Sequence, residues 1–225
     1  MIHRDYLLRL IQEFFQVLAA ILESRRSGDL KAVEKNLDHA SQAVLGMDRE
    51  AVLALNEREL KGELIRAGST QEFSIRAQIL SRILTESAEQ ASGRGRKGEA
   101  EQYHLRALNL LLDTIIGSQP VELLEFTPRI EGIVDQLSGA LLPSETLLGL
   151  MQYYEKQGEY AKAEDQLFQL CESRGLGAGL SPLGESFYQR LLNLPDPILA
   201  GGRLPRDEVE FGLREFRERC AFQQR

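Results

Sequence analysis

A glycine-rich segment at residues 93–98 has the spacing of a phosphate-binding loop. It reads Gly-Arg-Gly-Arg-Lys-Gly, which matches the G-x-G-x-x-G motif of dinucleotide-binding proteins. In those proteins a β-strand comes before the motif, and an acidic residue about 20 positions later binds the ribose. Here residues 83–91 have helical periodicity, and Asp113 lies only 15 residues after the motif. We therefore predict a solvated turn between two helices, with at most weak anion binding by its basic side chains.

Other residue types that perform catalysis or bind metals are spaced unfavourably in this chain. His3, His39 and His104 lie in three different helical segments, and none has a second histidine three or four residues away that would form a metal-ligand pair. His104 is instead expected to be a packed, hydrogen-bonded core residue. Cys171 and Cys220 are not in a C-x-x-C spacing, so we expect two small buried residues in a reducing compartment. No nucleophile elbow and no P-loop is present. The chain is predicted to be no enzyme, with no catalytic residue, metal or cofactor.

Composition and charge limit the class of protein and the class of partner. The chain has 225 residues, of which 43% are hydrophobic and 27% charged, which is typical of a folded globular protein. We predict a single domain over residues 1–225. The net charge of −7 disfavours nucleic acid as a partner, because an acidic chain repels phosphate backbones. The apolar segment 14–22 belongs to an N-terminal stretch that charged and polar residues punctuate at helical spacing, so we expect neither a signal peptide nor a membrane contact, and a cytoplasmic location. These residues are Arg4, Asp5, Arg9, Gln12, Glu13 and Gln16.

The helical period dominates the sequence from end to end. In residues 4–24, for example, Leu7, Leu10, Phe14 and Leu18 recur on one side, and charged residues lie opposite. Patterns of this kind predict helices over residues 4–24, 29–45, 49–67, 71–92, 97–116, 128–139, 144–157, 160–174, 182–193 and 206–222. All seven prolines follow residue 119, which predicts longer helices in 1–117 and shorter ones in 120–225. No alternating strand pattern is found, so the fold is predicted to be all-α.

Residues 144–170 resemble a tetratricopeptide repeat (TPR). The large, small and turn positions of that family are occupied here by Leu147, Leu150, Tyr154, Gly158, Tyr160, Ala163, Leu167 and Leu170. Met151 departs from the pattern, because the family has a small residue at that position. The same spacing recurs around Gly28 and Gly95, and a degenerate unit is placed around Gly62. The resemblance implies a right-handed superhelical stack of antiparallel helix hairpins, a degenerate TPR-like solenoid, with a C-terminal helical cap.

A second resemblance covers most of the chain. Residues 1–11, 153–170, 187–192 and 201–206 are similar to blocks of an uncharacterised bacterial family of TPR-like helical proteins. No function of that family is known, so this resemblance implies no activity.

In TPR arrays the first helix of each repeat lines a concave groove that binds a peptide. The resemblance therefore implies that a protein or peptide partner contacts the corresponding positions, which are Arg25, Arg26, Arg82, Glu89, Leu148, Gln152, Glu155 and Lys156. This set lacks the repeated Lys and Asn residues that clamp a peptide's carboxylate end.

Two alternatives stay open. Phe15, Leu18 and Leu22 either pack beneath the helix at 71–92 or are exposed and pair with a partner helix or a second copy of the chain, as in a homodimer. A small ligand could instead bind in a pocket between helical layers.

Overall fold

A computed structural model describes residues 2–66, 68–117, 122–173 and 179–223. In these ranges the chain forms twelve helices and no β-strand, which confirms the all-α prediction. None of these helices combines the length and the apolar character that crossing a membrane requires. The chain divides into two compact units, residues 1–140 and residues 141–225. The right-handed superhelical arrangement over a single domain remains a prediction.

The first unit contains seven helices and the second contains five. In the first unit they are α1 (Ile2–Arg26), α2 (Leu30–Leu45), α3 (Arg49–Ala54), α4 (Glu57–Ile65), α5 (Thr70–Gly93), α6 (Lys97–Ile116) and α7 (Ile130–Gln136). In the second they are α8 (Ser144–Gln157), α9 (Tyr160–Ser173), α10 (Leu180–Leu192), α11 (Asp196–Gly201) and α12 (Arg206–Gln223).

Three helix hairpins share one turn geometry. Gly28, Gly95 and Gly158 join α1 to α2, α5 to α6 and α8 to α9, and their φ angles are +75°, +75° and +76°. This left-handed conformation favours glycine, because a Cβ atom would be strained there. The residue after each glycine donates its N–H to the carbonyl five positions earlier, which closes the first helix. These bonds are Asp29 to Ser24, Arg96 to Ala91 and Glu159 to Tyr154, each 2.9 Å long. The predicted hairpin turns at all three glycines are confirmed.

Helix α5 forms the centre of the first unit. It packs along α6 and also contacts α1, α2 and α4, so apolar side chains such as Ile79 and Leu84 are fully buried. Burial extends around most of the helix and includes polar residues such as Ser81, whose hydroxyl donates to the carbonyl of Ala77 at 2.7 Å. Because most of α5 is buried, a charged residue such as Glu86 lies out of water and needs partners within the chain.

The single helix predicted over residues 49–67 is wrong, because the chain forms α3 and α4 there. Asn56 begins α4 with a capping box: its side chain accepts the N–H of Glu59 at 2.9 Å, and the Glu59 carboxylate accepts the N–H of Asn56 at 2.8 Å. These two bonds satisfy N–H groups that a new helix leaves unpaired. Gly62 lies inside α4, so the predicted repeat unit with its turn at Gly62 is also wrong.

The second unit packs α12 against α10 and α9. Gly184 of α10 allows the Phe216 ring of α12 to approach closely, and both residues are buried. Tyr188 donates its hydroxyl proton to Glu164 at 2.7 Å, and burial raises the pKa of Glu164. The sequence did not predict α11, which begins beside two prolines; proline is well tolerated in the first turn of a helix.

The two cysteines lie in contact inside the second unit. Cys171 of α9 and Cys220 of α12 are both buried, and their thiols form a hydrogen bond. Burial raises the pKa of Cys171 to about 11. Because only the thiolate is reactive, both side chains pack here as small apolar groups, in line with the sequence expectation.

Candidate functional site

Two of the four predicted groove residues of the first unit, Arg25 and Arg82, meet at a buried carboxylate, and a third, Glu89, pairs with Arg25. Glu86 of α5 has only 2% of its side chain exposed. One carboxylate oxygen accepts from Arg25 Nη2 and the other pairs with Arg82 Nη2, each at 2.5 Å. Arg25 also forms an ion pair with Glu89. The predicted set is thus brought together, but around a residue that the prediction did not include.

These ion pairs fasten α1 to α5. Arg25 is the last residue but one of α1, and both of its carboxylate partners lie on α5. A buried carboxylate needs such partners, because an isolated charge in the interior is costly. Arg26, the fourth predicted residue, is exposed and lies outside this network. The sequence-predicted groove residues Arg25 and Arg82 therefore have a structural role.

The four predicted residues of the second unit lie on α8. Glu155 forms a two-pronged ion pair with Arg190 of α10, with Nε–Oε1 at 2.6 Å and Nη2–Oε2 at 2.8 Å. Leu148 is half-buried, whereas Gln152 and Lys156 are exposed. Glu155 thus links two helices of its own unit.

Helix α1 exposes a row of large apolar side chains. Leu8, Phe15 and Leu22 are 51%, 43% and 39% exposed. They are spaced seven residues apart, which places them on one side of the helix over about 21 Å at a rise of about 1.5 Å per residue. We call these three residues the α1 stripe. Leu18, in contrast, is buried. The alternative left open by the sequence is therefore decided residue by residue: Leu18 belongs to the core, whereas Phe15 and Leu22 are exposed.

The α1 stripe is anchored at its middle. The ring of Phe15 meets the edge of the Phe126 ring with centroids 5.2 Å apart, and Phe14 contacts the same ring at 4.8 Å. Phe126 is itself buried. The contact holds Phe15 in a defined orientation while leaving much of its ring open to solvent.

The glycine-rich segment 93–98 has no phosphate-binding geometry. Helix α5 comes before it in place of a strand, and the segment forms the turn into α6, as predicted. Arg94 pairs with Glu34, and Arg96 pairs with Glu99 at 2.8 Å. Both arginines thus form ion pairs within the chain, and these pairs stabilise the turn and its neighbouring helices.

His104 is buried, as predicted, but its Nδ1 atom has no hydrogen-bond partner within the described part of the chain. The packing of this histidine is as predicted, but the expected hydrogen bond is not made at Nδ1. Burial lowers the pKa of His104, which keeps the imidazole neutral near pH 7. Over the residues that the structure describes, no group of His, Cys, Asp or Glu is arranged to hold a metal ion.

Sequence reasoning missed three buried charged residues, Glu72, Glu86 and Arg49. Arg49 is 8% exposed and bonds to Asp38 at 2.7 Å. One local signal was available: Glu86 follows Arg82 by four residues, the spacing of an ion pair along a helix. No such signal marks Arg49, because its partners come from α2 and α5.

Comparisons with known proteins give a family and no activity. No curated protein and no solved structure matches the chain. A family model described as a family of unknown function, DUF6483, matches residues 1–221. Because this match covers nearly the whole sequence, the chain belongs to the DUF6483 family.

Proposed function

We propose that the chain is a non-enzymatic protein-interaction scaffold of TPR-like helix hairpins, and that it works by pairing with a second copy of itself through α1. The observation that carries this proposal is the exposure of Leu8, Phe15 and Leu22 in one row. Apolar side chains grouped on a surface gain free energy when a partner removes them from water. Each α1 stripe would lie on the α1 stripe of the other copy.

Charge complementarity favours an antiparallel arrangement of the two helices. Aligning Phe15 with Phe15 of the second copy places Leu8 opposite Leu22. The same alignment brings Arg9 near Glu23 of the other copy, because the two residues lie nearly equal distances from Phe15 on opposite sides. Both side chains are exposed. A parallel arrangement would instead bring like charges together.

The same antiparallel alignment pairs the two ends of the helix. Asp5 approaches Arg26 of the second copy, and both are exposed. The two-fold symmetry of the dimer forms each contact between different positions twice. The interface therefore contains two contacts of Leu8 with Leu22, one contact of Phe15 with Phe15, and four charge pairs. Arg26 of the predicted groove set thereby gains a role in this surface.

The ion pairs within the chain disfavour the groove that the repeat register predicts. A peptide that contacts Arg25 would have to displace the buried carboxylate of Glu86, and one that contacts Glu155 would have to displace Arg190. Removing the partner of the buried Glu86 carboxylate is costly, whereas the exposed pair of Glu155 and Arg190 opposes a peptide only weakly. The α1 stripe requires no such displacement.

The experiment is a measurement of molar mass in solution. Sedimentation velocity of the full chain should show a dimer at about 100 µM. The variant Leu8→Glu/Leu22→Glu should be a monomer, because each introduced carboxylate would be desolvated opposite a carboxylate of the other copy, and like charges repel. Thermal melts should show that this variant folds, since both side chains are exposed.

A matched control comes from outside the α1 stripe. Leu30 on α2 is 47% exposed, so Leu30→Glu makes the same chemical change on another helix. It should leave the dimer intact. A wild-type chain that stays monomeric at about 100 µM, or a dimer that survives the double substitution, would overturn the proposal.

A further inference from the structure

A cavity in the first unit is lined by polar and charged groups that the α1 surface does not use. Its volume is about 380 Å³, within the range of pockets that hold small molecules. Side chains of α2, α5 and α6 line it together with the start of α3.

Hydrogen bonds within the chain already fix several side chains that line this cavity. Arg49 reaches across it, and its Nη1 donates to Ser87 Oγ at 3.2 Å and to Gln90 Oε1 at 3.4 Å. Its Nε donates to Asp38, which also meets its charge. Gln90 is held in turn by a bond to the carbonyl of Leu30 at 3.1 Å. These groups keep their positions without a ligand, so little ordering would be needed on binding.

Tyr103 gives an independent sign that the cavity takes a ligand. Only 3% of the residue is exposed, it lines the cavity, and its hydroxyl has no hydrogen-bond partner among the described residues. Burial raises its pKa, and the charges that act on it are Arg49, Glu99, Asp38 and Glu50. All four line the cavity together with Tyr103. Because this hydroxyl is not one of the fully enclosed polar atoms without a partner, a ligand in the cavity can reach it.

The charges around the cavity indicate the sign of the ligand. Five lining residues are acidic and two are basic. Asp38, Glu99 and Glu34 have arginine partners within the chain. Asp48 and Glu50 have no cationic partner among the described residues, so the mouth of the cavity keeps a negative potential.

We propose that this cavity binds a small organic cation carrying an ammonium or guanidinium group. The cation pairs with the carboxylates of Asp48 and Glu50 and donates an N–H to the hydroxyl oxygen of Tyr103. Arg49 does not oppose it, because Asp38 neutralises the guanidinium. A metal ion fits less well, since no metal-holding group of acids is found in the described ranges. This site is separate from the α1 stripe and does not depend on it.

Calorimetric titration of the full chain tests this site with defined probes. We use 1,6-diaminohexane and agmatine as cations, and 1,6-hexanediol as a neutral molecule of matched length. At least one cation should bind with a Kd below about 1 mM, and the diol should not bind. Tyr103→Phe and Glu50→Gln should each weaken the cation by about threefold to tenfold, because each removes one hydrogen-bonding or charged group.

The control variant is Glu101→Gln, an exposed carboxylate on α6 that does not line the cavity. It removes the same charge as Glu50→Gln and should leave the Kd unchanged. Melting curves should show that the variants fold, and Glu50 is exposed, so that its substitution leaves the core intact. No binding of either cation would overturn the proposal. Equal weakening by Glu50→Gln and Glu101→Gln would also overturn it, because it would indicate general attraction to an acidic chain.

Discussion

Glu86 links α1 to α5 through a buried carboxylate. Its carboxylate is buried between Arg25 and Arg82. Glu86→Gln keeps the shape of the side chain but leaves Arg82 without a counter-charge and Arg25 with only the exposed carboxylate of Glu89. We expect the free energy of unfolding to fall by about 1–3 kcal/mol, less than for a fully buried pair because both arginines are partly exposed. Urea unfolding followed by circular dichroism measures this change.

The matched control lies one helical turn further along α5. Glu89 is exposed and also pairs with Arg25, so Glu89→Gln should change the free energy of unfolding by less than about 0.5 kcal/mol. Equal effects of the two substitutions would contradict a structural role for Glu86. Arg25 would then be available for a partner, as the repeat register predicts.

The buried charged residues could not be predicted from the sequence, because most of their partners lie on other helices. The spacing of Arg82 and Glu86 is visible in the sequence, but Arg25 lies 61 residues away from Glu86 and its approach depends on how α1 packs. Arg49 likewise bonds to residues 11, 38 and 41 positions away. Helical periodicity identifies the apolar side of a helix, yet it does not say which polar residues other helices will cover.

At the scale of elements, the hairpins were predictable because their signals are local. A glycine between two amphipathic segments suffices to predict a tight helical turn, and the turns at Gly28, Gly95 and Gly158 have nearly the same φ. The break between α3 and α4 was missed although Asn56 and Glu59 form a capping pattern, because the apolar period continues across it. Helix α11 was missed because prolines were interpreted only as helix breaks.

The packing of α10 on α12 depends on the absence of a side chain at Gly184. A Cβ atom there would lie 2.1 Å from Cζ of Phe216, whose ring is fully buried. We expect Gly184→Ala to lower the free energy of unfolding of the second unit by about 1–3 kcal/mol, because overpacking outweighs the higher helix propensity of alanine. Gly201→Ala is the control, since no atom lies within 4 Å of its added Cβ. Chemical denaturation of both variants measures the difference, and equal stability would contradict this packing.

At the scale of the whole molecule, the sequence predicted an apolar α1 but not which of its residues face solvent. The period predicts one apolar side, whereas the α1 stripe lies beside the buried residues and is left uncovered by the helices of its own unit. Only the packed structure separates Leu18 from Phe15 and Leu22. The sequence therefore left self-association as one of several alternatives. The exposure of the α1 stripe identifies the surface through which we propose that it occurs.

The direction of the two α1 helices can be tested by exchanging charges. In the antiparallel dimer Arg9→Glu places a carboxylate near Glu23 of the second copy, twice by symmetry. We expect the dimer Kd to rise by about threefold to tenfold at low salt, because exposed charge pairs contribute little each. Arg9→Glu/Glu23→Arg exchanges the two charges and should restore the wild-type Kd. Sedimentation equilibrium gives both Kd values. The difference in Kd between the single variant and the wild type should vanish near 1 M salt, where the Debye length is about 3 Å.

In a parallel dimer residue 9 faces residue 9, so Arg9→Glu only replaces one like-charge pair with another. A Kd that the single substitution leaves unchanged, or a double variant as weak as the single one, would contradict the antiparallel arrangement.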